Sequence, residues 1–327
     1  MHMKLKGKKH PHKYLFLVII IYLVFAYTFY YSFKYDQTIN NETFIKFLLN
    51  NGNANFPNEY ELPKIVNKTV NYLFQIDFTN PVTLFNDSII GTTYEIDNSE
   101  EELEHLKEVS SYIEDPYKKN ITNPIVYIYN SHPLENYNNY NLEIYGITPN
   151  VLMASYLLKE KLLSNNIMTI VEETDLTEFL SLNKWSYNQS YRASRIFMLD
   201  KKNQYNTLKY YIDLHRDSVN KNQSTTKIKG KSYAKILFVI GLENKNYKKN
   251  LKLATNLNNL LNELYPGISR GLLKKEGPNV DGIYNQDISE NTMLIELGGH
   301  ENNINEVMNT INVLSEIITK YIGEHEK

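Results

Sequence analysis

Three distant segments of the chain each carry a side chain suited to metal binding or proton transfer where an apolar run ends. They are residues 125–135 with His132 and Glu135, residues 210–217 with His215, and residues 292–299 with Glu296. The apolar and β-branched residues before these groups predict buried strands. Because open α/β sheets bind ligands beyond the carboxyl ends of their strands, we expect the polar groups to converge. Two histidines and two carboxylates in that place are typical of a zinc hydrolase site.

His132, Glu135 and His215 are the predicted metal ligands. Catalytic zinc keeps three protein ligands and one open position, and the two histidines supply two nitrogen donors. Glu135 is the preferred third ligand, with a solvated loop acid as the alternative. Asp213 shares a strand face with His215 because side chains two residues apart point the same way, so it either orients the imidazole or replaces Glu135. His300 is a further candidate histidine, and a structural role is the alternative for each histidine.

Glu296 and Arg216 are the predicted catalytic residues. Glu296 interrupts an apolar strand, where a charge is costly unless it is paired or functional. The functional interpretation is a general base and acid that carries a proton from water to a leaving amine, with a pKa raised by burial. An ion pair with a lysine is the alternative. Arg216 either binds a substrate carboxylate, stabilises an oxyanion, or forms a structural ion pair with Asp217.

Three further segments are candidates for substrate contact. Gly298 and Gly299 would let a substrate backbone approach closely. The polar residues 284–287 precede the last predicted strand and would line the cleft. The basic residues 227–231 form a predicted loop that either meets an anionic polymer or is simply solvated.

The N-terminus predicts a membrane anchor. Residues 1–13 carry five lysines and no acid, and residues 14–33 form an uncharged apolar run of 20 residues. That length spans a hydrocarbon core of about 30 Å, and the lysines hold the N-terminal end in the cytoplasm. A cleavable signal peptide is the alternative, but the run is long for one and no small-residue cleavage site follows it. We therefore expect a single-pass protein whose remaining residues lie outside the cytoplasm.

Composition excludes several classes of function. The formal net charge is −2 and the isoelectric point is about 6.5, so no electrostatic argument supports nucleic-acid binding. The chain has no cysteine, which rules out disulfides, thiolate catalysis and cysteine-based zinc fingers. Any metal site must therefore use histidine and carboxylate ligands.

The pattern along the chain predicts an α/β fold with a mainly parallel sheet and helices on both faces. Strands are predicted at 126–129, 168–171, 210–214, 236–240, 268–273 and 293–297, and helices at 149–163, 187–199, 248–264 and 305–322. Thr148 is the candidate N-cap of the first of these helices. The predicted domains are a cytoplasmic tail (1–13), a signal anchor (14–33), a polar stalk (34–60), a small docking region (61–120) and a catalytic domain (121–327).

Several of these pieces together resemble the stage II sporulation protein P family, the membrane-anchored peptidoglycan hydrolases of spore-forming bacteria. The pieces are residues 72–81, 128–135, 212–217, 284–287 and 294–299, which run in the family's order. Ile-Asp-Leu-His-Arg-Asp at 212–217 and Tyr-Asn-Gln-Asp at 284–287 are specific in combination. The resemblance implies the fold of zinc N-acetylmuramoyl-L-alanine amidases, with His132 and His215 on zinc and Glu296 catalytic.

The resemblance also implies an activity, partners and a location. The activity is cleavage of the amide between the lactyl group of N-acetylmuramic acid and L-alanine in peptidoglycan, with a second endopeptidase activity on stem-peptide cross-links. The implied partners are stage II sporulation proteins D and M, which act in engulfment. The implied location is the cell membrane, with the catalytic domain between the forespore and mother-cell membranes.

The chain departs from the family pattern at two places. The family usually reads His-Thr-His before the glutamate, and here the first histidine is replaced by Asn130. If strand alternation holds, Asn130 shares a face with His132 and lies near the site. The wider amidase family takes its third ligand from the start of the next helix, where this chain has Thr148 and Pro149, so Glu135 must substitute. Two rival functions follow: an endopeptidase using the same site, and a degenerate wall-binding scaffold supported by Asn130.

Overall fold

The structure is a computed structural model that describes residues 19–27, 41–52, 111–140, 142, 145–278 and 280–325. It divides into two compact units, residues 1–39 and 40–327. In the first unit, residues 19–27 are helical and their side chains are exposed. Among the described residues, no helix is long and apolar enough to cross a membrane. The predicted anchor at 14–33 extends beyond the described residues and stays a prediction, as do the predicted domain limits.

The second unit is built on a mixed, mostly parallel sheet. Its strands are β1 (Val126–Tyr129), β2 (Thr169–Val171), β3 (Tyr210–Asp217), β6 (Ile236–Gly241), β7 (Ser269–Lys275) and β8 (Thr292–Gly299). Among the described residues the order is β2-β1-β3-β8-β6-β7. Strands β2, β1, β3 and β8 are parallel, while β6 runs antiparallel to β8 and parallel to β7. The predicted mainly parallel sheet is confirmed, and each predicted strand is present with ends shifted by no more than three residues.

Helices flank this sheet. They are α1 (Asn41–Gly52), α2 (Val151–Ser164), α3 (Leu176–Leu182), α4 (Ser190–Gln204), α5 (Lys221–Ser224), α6 (Tyr247–Leu264) and α7 (Ile304–His325), with a 3₁₀ turn at Tyr187–Gln189. The four predicted helices are confirmed, although the predicted 187–199 helix begins with the 3₁₀ turn. Helix α1 lies within the predicted stalk and buries Phe44, Ile45 and Leu48. Helices α1, α3 and α5 were not predicted.

The two sheet faces pack against different helices. On one face, Met198 of α4 packs against Tyr127, Tyr129 and Tyr211. Helix α2 packs against β1 and β3 on the other face, where α7 and α6 complete the layer. Alternate side chains of each strand therefore meet different layers, as expected for a period of two. Helices on both faces agree with the predicted architecture.

The N-cap of α2 differs from the prediction. Asn150, rather than Thr148, caps the helix, and its side chain accepts a hydrogen bond from Met153 N at 3.0 Å. The chain stays extended up to Asn150 because Tyr137 N donates to Pro149 O at 2.8 Å. Asn150 also pairs with Asn136 as an isolated β-bridge. The loop after β1 is therefore hydrogen-bonded to the residues before α2, and the helix begins after Asn150 rather than at Pro149.

The predicted basic loop at 227–231 is the tip of a β-hairpin. Strands β4 (Thr225–Ile228) and β5 (Lys231–Ala234) pair in antiparallel fashion. Both turn residues have positive φ, 49° at Lys229 and 83° at Gly230. Two consecutive positive φ angles define the turn whose twist matches a hairpin, and Gly adopts this conformation readily. This hairpin was missed because a Lys-Gly pair is a weak turn signal.

Candidate metal centre and cleft

The loop that follows β1 positions His132 and Glu135. Glu135 N donates to His132 O at 3.1 Å, which closes a tight turn between the two residues. Val151 N, at the start of α2, donates to Glu135 O at 3.0 Å. Both side chains thus leave a backbone segment that is tied to a buried helix. A rigid supporting backbone of this kind is what a metal site requires.

His132, Glu135 and His215 come together at the carboxyl ends of β1 and β3. One possible ligand atom from each lies within 4.8 Å of the other two. The Glu135 carboxylate lies between the imidazoles, with Oε1 3.3 Å from His132 Nδ1 and Oε2 3.4 Å from His215 Nδ1. The described residues place His300 outside this group. Two imidazoles and one carboxylate form a possible three-ligand set.

The ionisable groups of this cluster influence one another's charge. Burial opposes ionisation of Glu135, but the neighbouring His215 and His132 hold the pKa of its carboxyl well below the usual range. Burial likewise opposes charging of His215, yet Asp213 and Glu135 raise the pKa of this imidazole well above its usual value. Glu135 Oε2 also accepts a hydrogen bond from Arg216 N at 2.9 Å. The carboxylates of Asp213 and Glu135 therefore favour a positive charge at His215, which a proton or a metal ion can supply.

Asp213 contacts the ring nitrogen of His215 that faces away from Glu135. His215 Nε2 lies 2.9 Å from Asp213 Oδ1. This is an ion-pair contact outside hydrogen-bond geometry, and Nε2 has no hydrogen-bond partner among the described residues. Asp213 is fully buried and accepts hydrogen bonds from Ser131 N at 2.9 Å and Ser131 Oγ at 2.7 Å. Of the two roles predicted for Asp213, this geometry fits orientation of the imidazole, because its carboxylate is outside the group of possible ligand atoms.

Glu296 lies beside His215 on the adjacent strand, where the two residues are paired in register. Its Oε2 atom is buried and has no hydrogen-bond partner among the described residues. Burial raises the pKa of Glu296 to about 8, with Glu135 and Asp217 adding to the increase and His215 and Arg216 opposing it. No lysine is among these charges, so the predicted alternative of a lysine ion pair is wrong. A carboxyl with such a pKa can both accept and release a proton near neutral pH.

The side chains of Arg216 and Asp217 do not form an ion pair with each other. Asp217 forms an ion pair with Arg270 at 2.7 Å, so the predicted Arg216–Asp217 ion pair is wrong. The Arg216 side chain donates from Nε to Asn136 O at 2.9 Å and lies against the cleft. No carboxylate lies within ion-pair distance of its guanidinium among the described residues. Arg216 therefore brings a positive charge to the candidate metal centre.

An open cleft contains all five predicted site residues. They are His132, Glu135, His215, Arg216 and Glu296. Two aromatic residues that sequence reasoning missed also line it. The Tyr187 ring stacks on His132 with centroids 4.5 Å apart, and the Tyr191 ring lies 5.6 Å from His132 and 6.3 Å from His215. Both tyrosines fall in the predicted helix 187–199, and the sequence pattern there does not distinguish a site residue from a core residue.

Of the predicted polar cluster at 284–287, only Tyr284 lines the cleft. The other three residues hold surrounding elements together. Gln286 bonds to both Gly241 N and Val239 O, Asn285 donates to Tyr191 O, and Asp287 forms a two-bond ion pair with Arg195. Their amide and carboxylate groups therefore hold the cleft walls together, and Tyr284 alone of this cluster faces the cleft.

Asn130, Gly298 and Gly299 do not lie where the sequence suggested. Asn130 donates to Leu214 O at 2.6 Å and accepts from Ser155 Oγ at 3.0 Å, away from the cleft. The strand ends at Tyr129, so alternation does not extend to His132. A Cβ at Gly298 would lie 2.7 Å from Asn302 Oδ1, and one at Gly299 would lie 2.5 Å from Val219 O. These glycines are required by internal packing, and neither lines the cleft.

The fold and site define a mixed α/β protein with a candidate His–Glu–His metal centre beside a buried glutamate. The family model for Stage II sporulation protein P (SpoIIP) matches residues 86–319, so the chain belongs to this family. Stage II sporulation protein P of Bacillus subtilis (strain 168) is 36% identical over 178 residues, which cover 54% of this chain and 44% of that relative. The match thus spans less than half of the relative's length. No solved structure matches the chain. Family membership connects the chain with sporulation.

Proposed function

We propose that the chain is a membrane-anchored, zinc-dependent peptidoglycan hydrolase that acts as an N-acetylmuramoyl-L-alanine amidase during engulfment. The observation that carries the proposal is the group of His132, Glu135 and His215, whose possible ligand atoms lie within 4.8 Å of one another. Glu296 lies beside this group with a buried, unpartnered oxygen. Membership of a sporulation family supports the biological setting.

The residues of the centre fit a zinc ion. Two imidazole nitrogens and one carboxylate oxygen are a ligand set that catalytic zinc uses with a fourth position left open. The unpartnered Glu296 oxygen beside these ligands is an acceptor that a reacting group could satisfy. When bound, zinc supplies Lewis acidity toward an amide carbonyl and toward water.

The protein residues supply proton transfer, charge stabilisation and orientation of the ligands. Glu296 accepts a proton from the attacking water at its buried oxygen and delivers that proton to the leaving amine. Arg216, with its charge uncompensated by a carboxylate, stabilises the negative charge that develops on the amide oxygen. Asp213 holds the His215 ring so that Nδ1 faces Glu135. Tyr187 and Tyr191 cover His132 and restrict access of solvent to it.

The location and partners are part of the same proposal. The lysine-flanked apolar run at 14–33 supports a single-pass anchor with the catalytic domain outside the cytoplasm. The substrate there is peptidoglycan, in the space between forespore and mother cell. Stage II sporulation proteins D and M are the proposed partners in engulfment.

Two other functions would use the same features differently. An endopeptidase would cleave stem-peptide cross-links from the same centre, and the cleavage products distinguish it from an amidase. A wall-binding scaffold without activity had Asn130 as its support. Since Asn130 links the end of β1 to β3 and α2, its presence carries no argument for an inactive centre.

Digestion of purified peptidoglycan tests the proposal. The full-length chain in detergent would be compared with a chelated sample and with His215→Ala, with products read by mass spectrometry. We expect metal-dependent release of stem peptides with a free L-alanine amine, lost in His215→Ala. His300→Ala is a matched control, because His300 lies outside the cluster, and it should retain activity. Release of new stem-peptide termini alone would favour the endopeptidase, and wall binding without release would favour the scaffold.

A further inference from the structure

The cleft continues from the candidate metal centre across β6 and β7. Strand pairing orders the side chains of this sheet face in three rows, since alternate residues share a face. Each row runs across the sheet from β3 through β8 and β6 to β7. The first row is His215, Glu296, Leu237 and Gly271, and the second is Asp213, Leu294, Val239 and Leu273. The third row ends at Gly241 on β6 and Lys275 on β7. The part of the cleft beyond Glu296 is therefore a continuous surface on one face of the sheet.

The floor of this extension is aliphatic. Leu237, Val239, Leu273 and Leu294 all line the cleft, and Tyr284 packs against Val239 and Leu294 at its side. Leu273 is 39% exposed and lies on β7, the edge strand of the sheet. Leu237, Val239 and Leu294 are almost fully buried in this floor, so Leu273 is its accessible apolar side chain. An apolar surface that lines a cleft beside a polar reaction centre is typical of a binding groove.

Lys275 ends this surface with a positive charge. It lines the cleft, and no carboxylate lies within ion-pair distance of it among the described residues. Asp281 also lines the cleft, but its carboxylate accepts hydrogen bonds from the backbone N–H groups of Ile283 and Tyr284. The Lys275 ammonium is therefore available to an external anion.

We propose that this extension, the aliphatic floor together with Lys275, binds the peptide part of the substrate and that Lys275 pairs with a carboxylate of that peptide. The inference rests on the proposed function and adds the chemistry that the substrate must carry. Apolar side chains of the peptide would cover the leucines, and the acid group would set the register of binding. A neutral or amidated peptide would keep the apolar contact but would lack the ion pair with Lys275.

Strand geometry gives the position of this acid group. Glu296 on β8 is paired with Leu237 on β6, and Lys275 on β7 is paired with Gly241 on β6. Lys275 is therefore two strands away from Glu296 and four residues further along the strand direction. With strands about 4.8 Å apart and about 3.3 Å per residue, the two Cα atoms are about 16 Å apart. The lysine side chain covers part of that distance, and an extended peptide covers about 3.4 Å per residue. The carboxylate should thus lie about three to four residues from the scissile amide.

The test compares two soluble muramoyl-peptides, one with free stem-peptide carboxylates and one with those groups amidated. For the full-length protein in detergent, Lys275→Ala should raise KM for the acidic substrate by about two- to fivefold, with the change falling on KM rather than kcat. KM for the amidated substrate should not change. Lys275→Arg should restore most of the loss, because the positive charge is kept.

Lys274→Ala is the matched control. Lys274 is the preceding residue of β7, is exposed and does not line the cleft, so this variant should behave as wild type on both substrates. Calorimetric titration of the chelated protein with the acidic stem peptide provides a second readout that requires no catalysis. There we expect binding by wild type and Lys274→Ala, and about two- to fivefold weaker binding by Lys275→Ala.

The outcomes separate the two proposals. Binding of the acidic peptide through Lys275 without cleavage of either substrate would overturn the proposed hydrolase activity and keep the peptide site. Cleavage with equal KM values for acidic and amidated substrates in wild type and Lys275→Ala would overturn the peptide site and keep the hydrolase. An equal loss on both substrates in Lys275→Ala would also overturn it, since it would indicate a structural effect of the substitution.

Discussion

The two halves of the sheet differ in what their strands present to the cleft. The parallel half ends in charged and hydrogen-bonded groups, which include His215 on β3 and Glu296 on β8. The half formed by β6 and β7 presents Leu237, Val239 and Leu273. Reactive groups thus gather where the parallel strands β1, β3 and β8 end together, while β6 and β7, which run antiparallel to β8, supply an apolar surface. Under the proposed function, reaction and substrate recognition would occupy different halves of one cleft.

The two halves are also stabilised by different forces. In the parallel half, His215, Asp213 and Glu135 form a buried charged group in which each member compensates for another's loss of hydration. In the other half, Val239 packs against Tyr284 and Leu294, and burial of apolar area provides the stabilisation. Substitutions in the first half should therefore alter metal binding and catalysis, and substitutions in the second should alter stability and substrate binding.

Glu296→Gln should produce the largest effect. The amide keeps the shape of the side chain but cannot accept the proton, so kcat should fall by about 10²- to 10⁴-fold. Metal content, measured by atomic emission on the purified protein, should stay at the wild-type level because Glu296 is outside the ligand group. Retained activity would show that another group carries the proton, and loss of the metal would place Glu296 among the ligands.

Asp213→Asn should weaken metal binding without abolishing it. The amide fills the same volume but no longer provides a carboxylate to the His215 ring, and loss of such a partner costs about 10- to 100-fold in metal affinity. Competition with a chromophoric chelator measures this change independently of activity. Unchanged affinity, with a circular dichroism spectrum like that of wild type, would mean that Asp213 only satisfies Ser131.

Val239→Ala should have the smallest effect and should leave the parallel half intact. Removing two methyl groups from a side chain that is 4% exposed should lower the free energy of unfolding by about 1–2 kcal/mol. Denaturant unfolding measures that loss, and the chelator competition should show wild-type metal affinity. A fall in metal affinity would contradict the division between the halves.

Local sequence patterns were sufficient for most secondary structure. The apolar runs before His132, His215 and Glu296 are long and bounded by polar residues, so their strands could be predicted from periodicity alone. The β4–β5 hairpin could not, since its residues alternate weakly and its Lys229-Gly230 turn is not a strong signal. The N-cap at Asn150 also escaped prediction, because the contact of Tyr137 with Pro149 that extends the chain is made by a distant segment.

The candidate site was partly predictable because the strand ends that carry its residues follow from local sequence patterns. His132, Glu135 and His215 have side chains whose chemistry and strand-end positions indicate a metal site, and the structure places them together. Asn130 was expected beside them, but the strand stops one residue earlier and its side chain turns toward α2. The role of Asp217 depended on Arg270, which is on a strand that does not neighbour β3. Such pairings depend on the order of strands.

The sequence by itself determined the α/β class, the strands and the types of reactive residue at their ends, because periodicity and side-chain chemistry are local properties. The tertiary structure alone decided which residues meet. Insertion of β8 between β3 and β6 places Glu296 beside both His215 and Leu237. The same strand order places the apolar floor and Lys275 in one cleft with the candidate metal centre. Strand order and register arise from packing across the whole domain, and no local stretch of sequence specifies them.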